Sequence, residues 1–199
     1  MTWEQYDITL QNVQARVRAP SAWMLANIKN ALLLATSNRS EASVGYATMD
    51  GDTSGSISPI SGIDKSFVRT WLLWLEAQGF KGLHLVNSLE PSAELRPLSE
   101  KQVDEEDLMP YPILNTIERL VFYDLCSPHE CLEKVIEQYG SHFAKEKLEE
   151  FVRRFFRLWA RNQWKRERYA PGFHVDDYSL DPKSWLRFPI LSAGLEKDI

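Results

Sequence analysis

The sequence predicts an α/β fold, with strand-and-helix units in its first part and helices alone towards its C-terminal end. Three observations carry this. The run Ala31-Leu32-Leu33-Leu34-Ala35 is short and continuously apolar, and it turns polar at Thr36-Ser37-Asn38-Arg39, as a buried parallel strand does on reaching its C-terminal edge. A helix start follows at once, with Ser40 as its cap and Glu41 in an acidic first turn, reaching about Tyr46. From Tyr111 onward, apolar residues recur at three- and four-residue steps through three successive segments, the pattern of amphipathic helices.

Taken in order, the chain opens with Val13, Val17, Ala22, Met24, Leu25 and Ile28 at helical spacing between Asn12 and Asn30, a helix interrupted near Pro20. The strand of residues 31–35 comes next, and ligands of open α/β sheets bind at such strand ends. Between Met49 and Gly62 the density of Gly, Ser, Asp and Thr makes a loop, long enough to be functional. Helical spacing resumes through Phe67, Trp71, Leu72, Trp74 and Leu75 over Lys65 to Gly79, with Gly79 as the stop, and Leu83 to Val86 forms a short strand. Leu89 to Met109 holds Pro91, Pro97 and the run Asp104-Glu105-Glu106-Asp107, and reads as a mobile surface segment.

The three C-terminal helices cover about Tyr111 to Tyr123, a stretch opened by the cap Ser127-Pro128-His129-Glu130 and closed by Gly140, and Lys145 to Arg161. Between Arg153 and Arg168 lie seven basic residues against the single acid Glu167, a local candidate for anion binding. The 199 residues, 44% of them hydrophobic, suffice for one domain spanning 1–199, within which 111–199 forms a helical C-terminal extension.

Net charge is −5, from 28 acidic and 23 basic residues, so the overall field gives no reason to expect nucleic acid or a membrane surface as partner. No stretch approaches the roughly 20 apolar residues of a membrane span, and the first eleven residues lack the apolar run of a signal peptide, which points to the cytoplasm. Cys126 and Cys131 have neither C-x-x-C spacing nor a disulfide framework around them and read as core thiols. His84, His129, His142 and His174 lack zinc-ligand spacing.

Five stretches, in order, resemble the NAD+ synthetase family. They are Asn12-Val13-Gln14-Ala15-Arg16-Val17-Arg18; Leu34-Ala35-Thr36-Ser37-Asn38-Arg39-Ser40-Glu41 with Gly45-Tyr46 and Gly51-Asp52 after it; Pro91-Ser92-Ala93-Glu94-Leu95; the acidic lid Asp104 to Leu108; and Trp164-Lys165-Arg166 with Pro171-Gly172-Phe173-His174. The last is similar to the ending of the longer, glutamine-using members. The resemblance implies an adenine nucleotide alpha hydrolase-like fold, here a partial doubly wound parallel sheet. It implies a reaction in which ATP adenylates the carboxylate of nicotinic acid adenine dinucleotide and ammonia displaces AMP to give NAD+, and hence a carbon-nitrogen ligase.

Residue by residue, the resemblance assigns ATP contacts to Thr36, Lys65 and Ser92, the dinucleotide to Arg16 and Lys165, and magnesium to Glu41. The plainer alternatives are a turn threonine, a helix-start lysine, a loop serine, a surface arginine and a first-turn acid that complements the helix dipole. Trp164 stands where the family has histidine, and Met49 and Ser56 stand where shorter, ammonia-using members carry a lysine and an aspartate that bind the dinucleotide. Ser61-Gly62-Ile63-Asp64-Lys65-Ser66 imitates the family's phosphate loop but lacks its second glycine and a preceding apolar strand.

The true loop and the amidase half that would release ammonia from glutamine are not among these residues. The expectation is therefore a chain that supplies part of the ATP and dinucleotide sites, inactive alone, completed by a missing N-terminal synthetase segment and a separate amidase domain. The alternative is an inactive nucleotide-binding remnant or assembly partner. A sheet lacking its first strands leaves an edge and an apolar face open, so a homo-oligomer is expected.

Overall fold

The computed structural model describes residues 2–97, 103–190 and 194–199. Their regular structure is helical: α1 Trp3–Lys29, α2 Arg39–Val44, α3 Lys65–Ala77, α4 Leu83–Asn87, α5 Asp104–Asp107, α6 Tyr111–Phe122, α7 Pro128–Tyr139, α8 Lys145–Arg161 and α9 Gln163–Arg166, with a final 3-10 turn at Glu196–Asp198.

The expected parallel sheet is seen among these residues only as two isolated parallel bridges, Leu34 with Ile57 and Ser58 with Gly172. Ser56 N–H donates to Leu33 O at 2.7 Å, Ala35 N–H to Ile57 O at 2.9 Å, and Ser58 N–H to Pro171 O at 2.8 Å. These segments lie side by side and parallel without growing into strands. A continuous apolar run signals burial on both faces, yet Leu32 and Leu34 are 71% and 52% exposed. Within the run only Ala35 is buried, and its pairing stays short.

Further differences have local causes. The helix expected to break near Pro20 is continuous there, because Pro20 is exposed and the Arg16 carbonyl it leaves without a donor can be met by water. The non-helical backbone falls instead at Tyr6, φ −135°. The strand expected at Leu83 to Val86 is helix α4, anchored by Asn87, whose amide donates to Leu72 O at 3.2 Å and to Glu76 Oε2 at 2.6 Å on α3. Short apolar runs do not separate strand from helix by periodicity.

The segment Leu89 to Met109 is surface only in part where it is described: Leu89, Glu90, Ser92, Glu94, Glu106 and Asp107 are exposed, while Leu95, Asp104, Leu108 and Met109 are buried; its residues 98–102 lie outside the described ones. The cap of α2 is Asn38 rather than Ser40. Asn38 Oδ1 accepts the Glu41 N–H at 3.0 Å, and Glu41 Oε2 accepts the Asn38 N–H at 3.3 Å, a capping box that sets the cap two residues earlier and frees Ser40 for tertiary contacts.

The C-terminal helices follow their sequence pattern closely. Ser127 and Glu130 form the capping box of α7, and α8 buries Leu148, Phe151, Val152, Phe155, Phe156 and Trp159 on one face. The Phe122 ring of α6 sits 6.0 Å from Phe155 and 5.6 Å from Trp159, within the favourable range for aromatic pairs. Cys131 is fully buried in this core, where burial pushes its thiol up to about 12, consistent with an inert core residue. By contrast α1 buries only Ala15, Ala19 and Ala26, and α3 buries no residue. No helix of the described residues is long and apolar enough to cross a membrane.

Gly45 ends α2 at φ +66°, and a Cβ there would lie 2.4 Å from Asn162 Cβ. Asn162 in turn donates its amide to Val44 O at 2.8 Å. Gly45→Ala therefore combines left-handed backbone strain with a clash against a buried side chain, and is expected to lower the unfolding free energy by about 2–3 kcal/mol in a denaturant titration. A loss below about 0.5 kcal/mol would show that the turn relaxes freely.

Candidate functional site

The corner between α2 and α3 is built by main-chain and hydroxyl contacts. Ser40 Oγ accepts the Lys65 N–H at 3.1 Å and donates to Asn115 Oδ1 of α6 at 2.8 Å. This brings the Lys65 ammonium to 2.9 Å from Glu41 Oε1, with the two side chains 21% and 17% exposed. The pair opens on a cavity of ≈290 Å³ whose wall includes Thr36, Ser37, Glu41, Lys65, Ser92 and Asp104. Four of the six residues singled out from sequence thus share one cavity.

A second cavity of ≈250 Å³ adjoins it, lined by Asn12, Gly45, Thr48 and Lys165 among others. The two share Tyr46, Asp52, Ala93 and Leu95, so they form compartments of one cleft. Lys165 donates to Gly45 O at 2.7 Å and Ala47 O at 2.9 Å, and burial holds its pKa below the ordinary lysine range. Arg16 stands apart: it is exposed, lines neither compartment, and its Nε donates to Met49 O at 3.0 Å.

Several wall residues were not singled out as site residues in the sequence. Tyr46 donates its hydroxyl to Asp107 at 2.8 Å and Tyr111 donates to Asp104 at 3.0 Å. Burial raises the pKa of both phenols and of the Asp104 carboxyl. Asp52 accepts the Thr48 N–H at 2.7 Å between the compartments. Tyr46, Asp52 and Asp104 all belong to the ordered stretches Gly45-Tyr46, Gly51-Asp52 and Asp104 to Leu108, so that order was the signal that could have found them.

The basic run of α8 and α9 is largely engaged inside the protein. Arg153 and Arg154 pair with Glu149 and Glu150, Arg168 with Asp50 at 2.6 Å, and Arg166 with main-chain carbonyls. The phosphate-loop imitation at Ser61 to Ser66 builds the entry to α3, where Asp64 Oδ1 accepts the Phe67 N–H at 2.8 Å. No cluster of three or more His, Cys, Asp or Glu side chains suited to a metal occurs among the described residues. Glu41 offers a single carboxylate, with Oε1 on Lys65 and Oε2 on Asn38 N–H. One carboxylate fits magnesium only where phosphates and water complete the octahedron.

Helices that gather these groups around two communicating compartments, one strongly polar, define a cleft-bearing domain suited to an elongated polar ligand. The chain belongs to the NAD synthase family, which matches residues 1–168. It is similar to the glutamine-dependent NAD(+) synthetase of Rattus norvegicus, 31% identical over 198 residues, 93% of this chain and 27% of the relative. It is also similar to that of Synechocystis sp., 31% identical over 188 residues, 94% of this chain and 31% of the relative. Among solved structures it resembles a glutamine-dependent NAD(+) synthetase from Cytophaga hutchinsonii with a TM-score of 0.85 at 50% identity, covering 99% of this chain and 30% of that one. The chain spans about a quarter to a third of the length of the curated relatives it matches.

Proposed function

We propose that this chain supplies part of the ATP and dinucleotide sites for NAD+ biosynthesis, in the ATP-dependent amidation of nicotinic acid adenine dinucleotide. The observation that supports it is the convergence of Thr36, Glu41, Lys65 and Ser92 on one compartment that communicates with a second holding Lys165. In this reading the dinucleotide carboxylate attacks the α-phosphorus of ATP, pyrophosphate leaves, and ammonia released from glutamine by a separate amidase domain displaces AMP from the acyl carbon.

Lys65, paired with Glu41 at 2.9 Å, turns towards the triphosphate, while Thr36 and Ser92 offer hydroxyls at the same wall. Glu41 is the residue that would hold magnesium, which offsets phosphate charge when bound. Lys165 faces the dinucleotide with whatever donor capacity its two carbonyl contacts leave. Arg16 would have to release Met49 O to join it.

The relatives' remaining length holds the rest of the catalytic apparatus in this reading, and 1–199 acts as one unit in the cytoplasm with 111–199 as its helical extension. Exposed Val13, Val17, Met24 and Ile28 of α1, with Phe67, Trp71 and Trp74 of α3, favour a homo-oligomer or a further synthetase segment as cover.

Calorimetric titration of the chain with magnesium and ATP tests the reading. Saturable binding is expected, with Lys65→Ala weakening it about tenfold, the effect of losing a charge-assisted contact. The reading fails if the unmodified chain does not bind, or if Lys65→Ala binds equally well.

A further inference from the structure

The Glu41–Lys65 pair joins two helices, and one side chain from a third stands behind it. Asn115 of α6 accepts from Ser40 Oγ at 2.8 Å and donates its amide to Asp64 Oδ1 at 2.9 Å and to Ser66 Oγ at 2.7 Å. Asp64 and Ser66 flank Lys65, and the Lys65 N–H itself donates to Ser40 Oγ. The result is a closed ring in which residues 64, 65 and 66 are each tied, directly or through Ser40, to one carboxamide. Ser40 is adjacent to Glu41, so the same carboxamide fixes the turn that carries the acid and the turn that carries the cation.

We propose that Asn115 is a positioning residue for the Glu41–Lys65 pair, setting the register of the first turn of α3 against the first turn of α2. It lines none of the wall on which the pair opens. Its chemistry suits the task, because a primary amide has both the acceptor that Ser40 needs and the two donors that Asp64 and Ser66 need. An aspartate keeps the shape and the acceptor but sets a second carboxylate against Asp64; a leucine keeps the approximate size and loses all three contacts.

Arg39 also reaches this corner, donating to Gly62 O at 3.1 Å and lying 3.5 Å from Asp64. It also meets Glu118 and Asp176, so its loss would strand buried charge as well as loosen the turn. Asn115 is neutral and only partly buried, which makes its replacement the cleaner probe.

The consequence for nucleotide binding rests on the function proposed above; the positioning itself does not. The test is the rate at which an amine-acylating reagent modifies Lys65 in the 199-residue chain, read by peptide mass spectrometry, for the unmodified protein, Asn115→Asp and Asn115→Leu. Lys165, half-buried with its ammonium on two carbonyls, reports unfolding, and exposed Lys145 reports reagent activity.

Asn115→Asp and Asn115→Leu are each expected to raise Lys65 modification about fivefold, the factor lost with one or two partly exposed hydrogen bonds, with Lys165 and Lys145 unchanged. Binding of magnesium and ATP is expected to weaken by a similar factor. Unchanged Lys65 rates in both variants overturn the proposal, as does an equal rise at Lys65 and Lys165 in both, which would make Asn115 a residue of general stability. A chain that binds no ATP while Lys65 alone responds to Asn115 removes the proposed function and leaves the positioning role standing.

Discussion

Arg166→Leu is expected to lower the unfolding free energy by about 3–5 kcal/mol, among the largest effects a single side chain here can have. Arg166 is 2% exposed and donates to Ala42 O at 3.2 Å, Ser43 O at 2.8 Å, Trp159 O and Gln163 Oε1 at 2.9 Å. Its guanidinium lies 5.5 Å from the Trp159 ring, and burial lowers its pKa to about 10. Among the described residues no carboxylate is bonded to it; its partners are the carbonyls at the end of α2, the start of α9 and the main chain of α8. Leucine would fill part of the volume and take the guanidinium donors from three carbonyls, of which Ala42 O keeps the Gly45 N–H at 3.3 Å, a loss of about 1 kcal/mol or more for each of the others. Arg166→Lys should recover little, since one ammonium does not reproduce the planar fork. Equilibrium denaturation checks both; a Leu variant within about 1 kcal/mol of the unmodified protein would show that the carbonyls find other donors.

The second large effect is one of pH. Glu118 is fully buried; Ser43 Oγ donates to its Oε1 at 2.6 Å, while Arg39 Nε stands 3.8 Å from Oε2 without a hydrogen bond. Burial pushes this carboxyl up to about 7, against 4.5 for a free glutamate. Between these values the folded chain holds a proton that the unfolded chain releases, so the stability Glu118 contributes is fullest below about 4.5 and declines as pH rises towards 7, by up to about 3 kcal/mol. Asp104, raised by burial, acts in the same direction.

Glu118→Gln is expected to flatten the decline between pH 5 and pH 7 and to match or exceed the unmodified protein at pH 8. Denaturant titrations at these three values decide it. A slope that survives in Glu118→Gln assigns the pH dependence elsewhere, with Asp104→Asn as the next variant.

How far the sequence reached depended on whether its signals were local. Ser127-Pro128-His129-Glu130 and the α8 face through Leu148, Phe151, Val152 and Phe155 carry their caps and their periodicity within a few residues, and they fold as read. The run Ala31 to Ala35 reads as a strand from its own composition, but burial of a strand is decided by distant segments, and among the described residues the run carries a single bridge, Leu34 with Ile57. Lys165 and Glu41 were legible only from ordered motifs: nothing in their spacing foretells that one donates to Gly45 O and the other pairs with Lys65. The basic stretch from Arg153 to Arg168 suggested an anion site, but sequence does not show acceptors that lie across the fold, such as Asp50 and the α2 carbonyls. Asn115, central to the corner, carries no pattern at all; its role emerges only once α2, α3 and α6 meet.

The contrast between α8, buried along a whole face, and α1 and α3, which bury three alanines and nothing respectively, grades the molecule in cooperativity. Backbone amides of α6–α8 are therefore expected to show the highest exchange protection among the described residues, and those of α1 and the later turns of α3 a lower one. A ligand held across the cleft would then be linked to local order, raising the protection of the helices that border it more than that of the α6–α8 core.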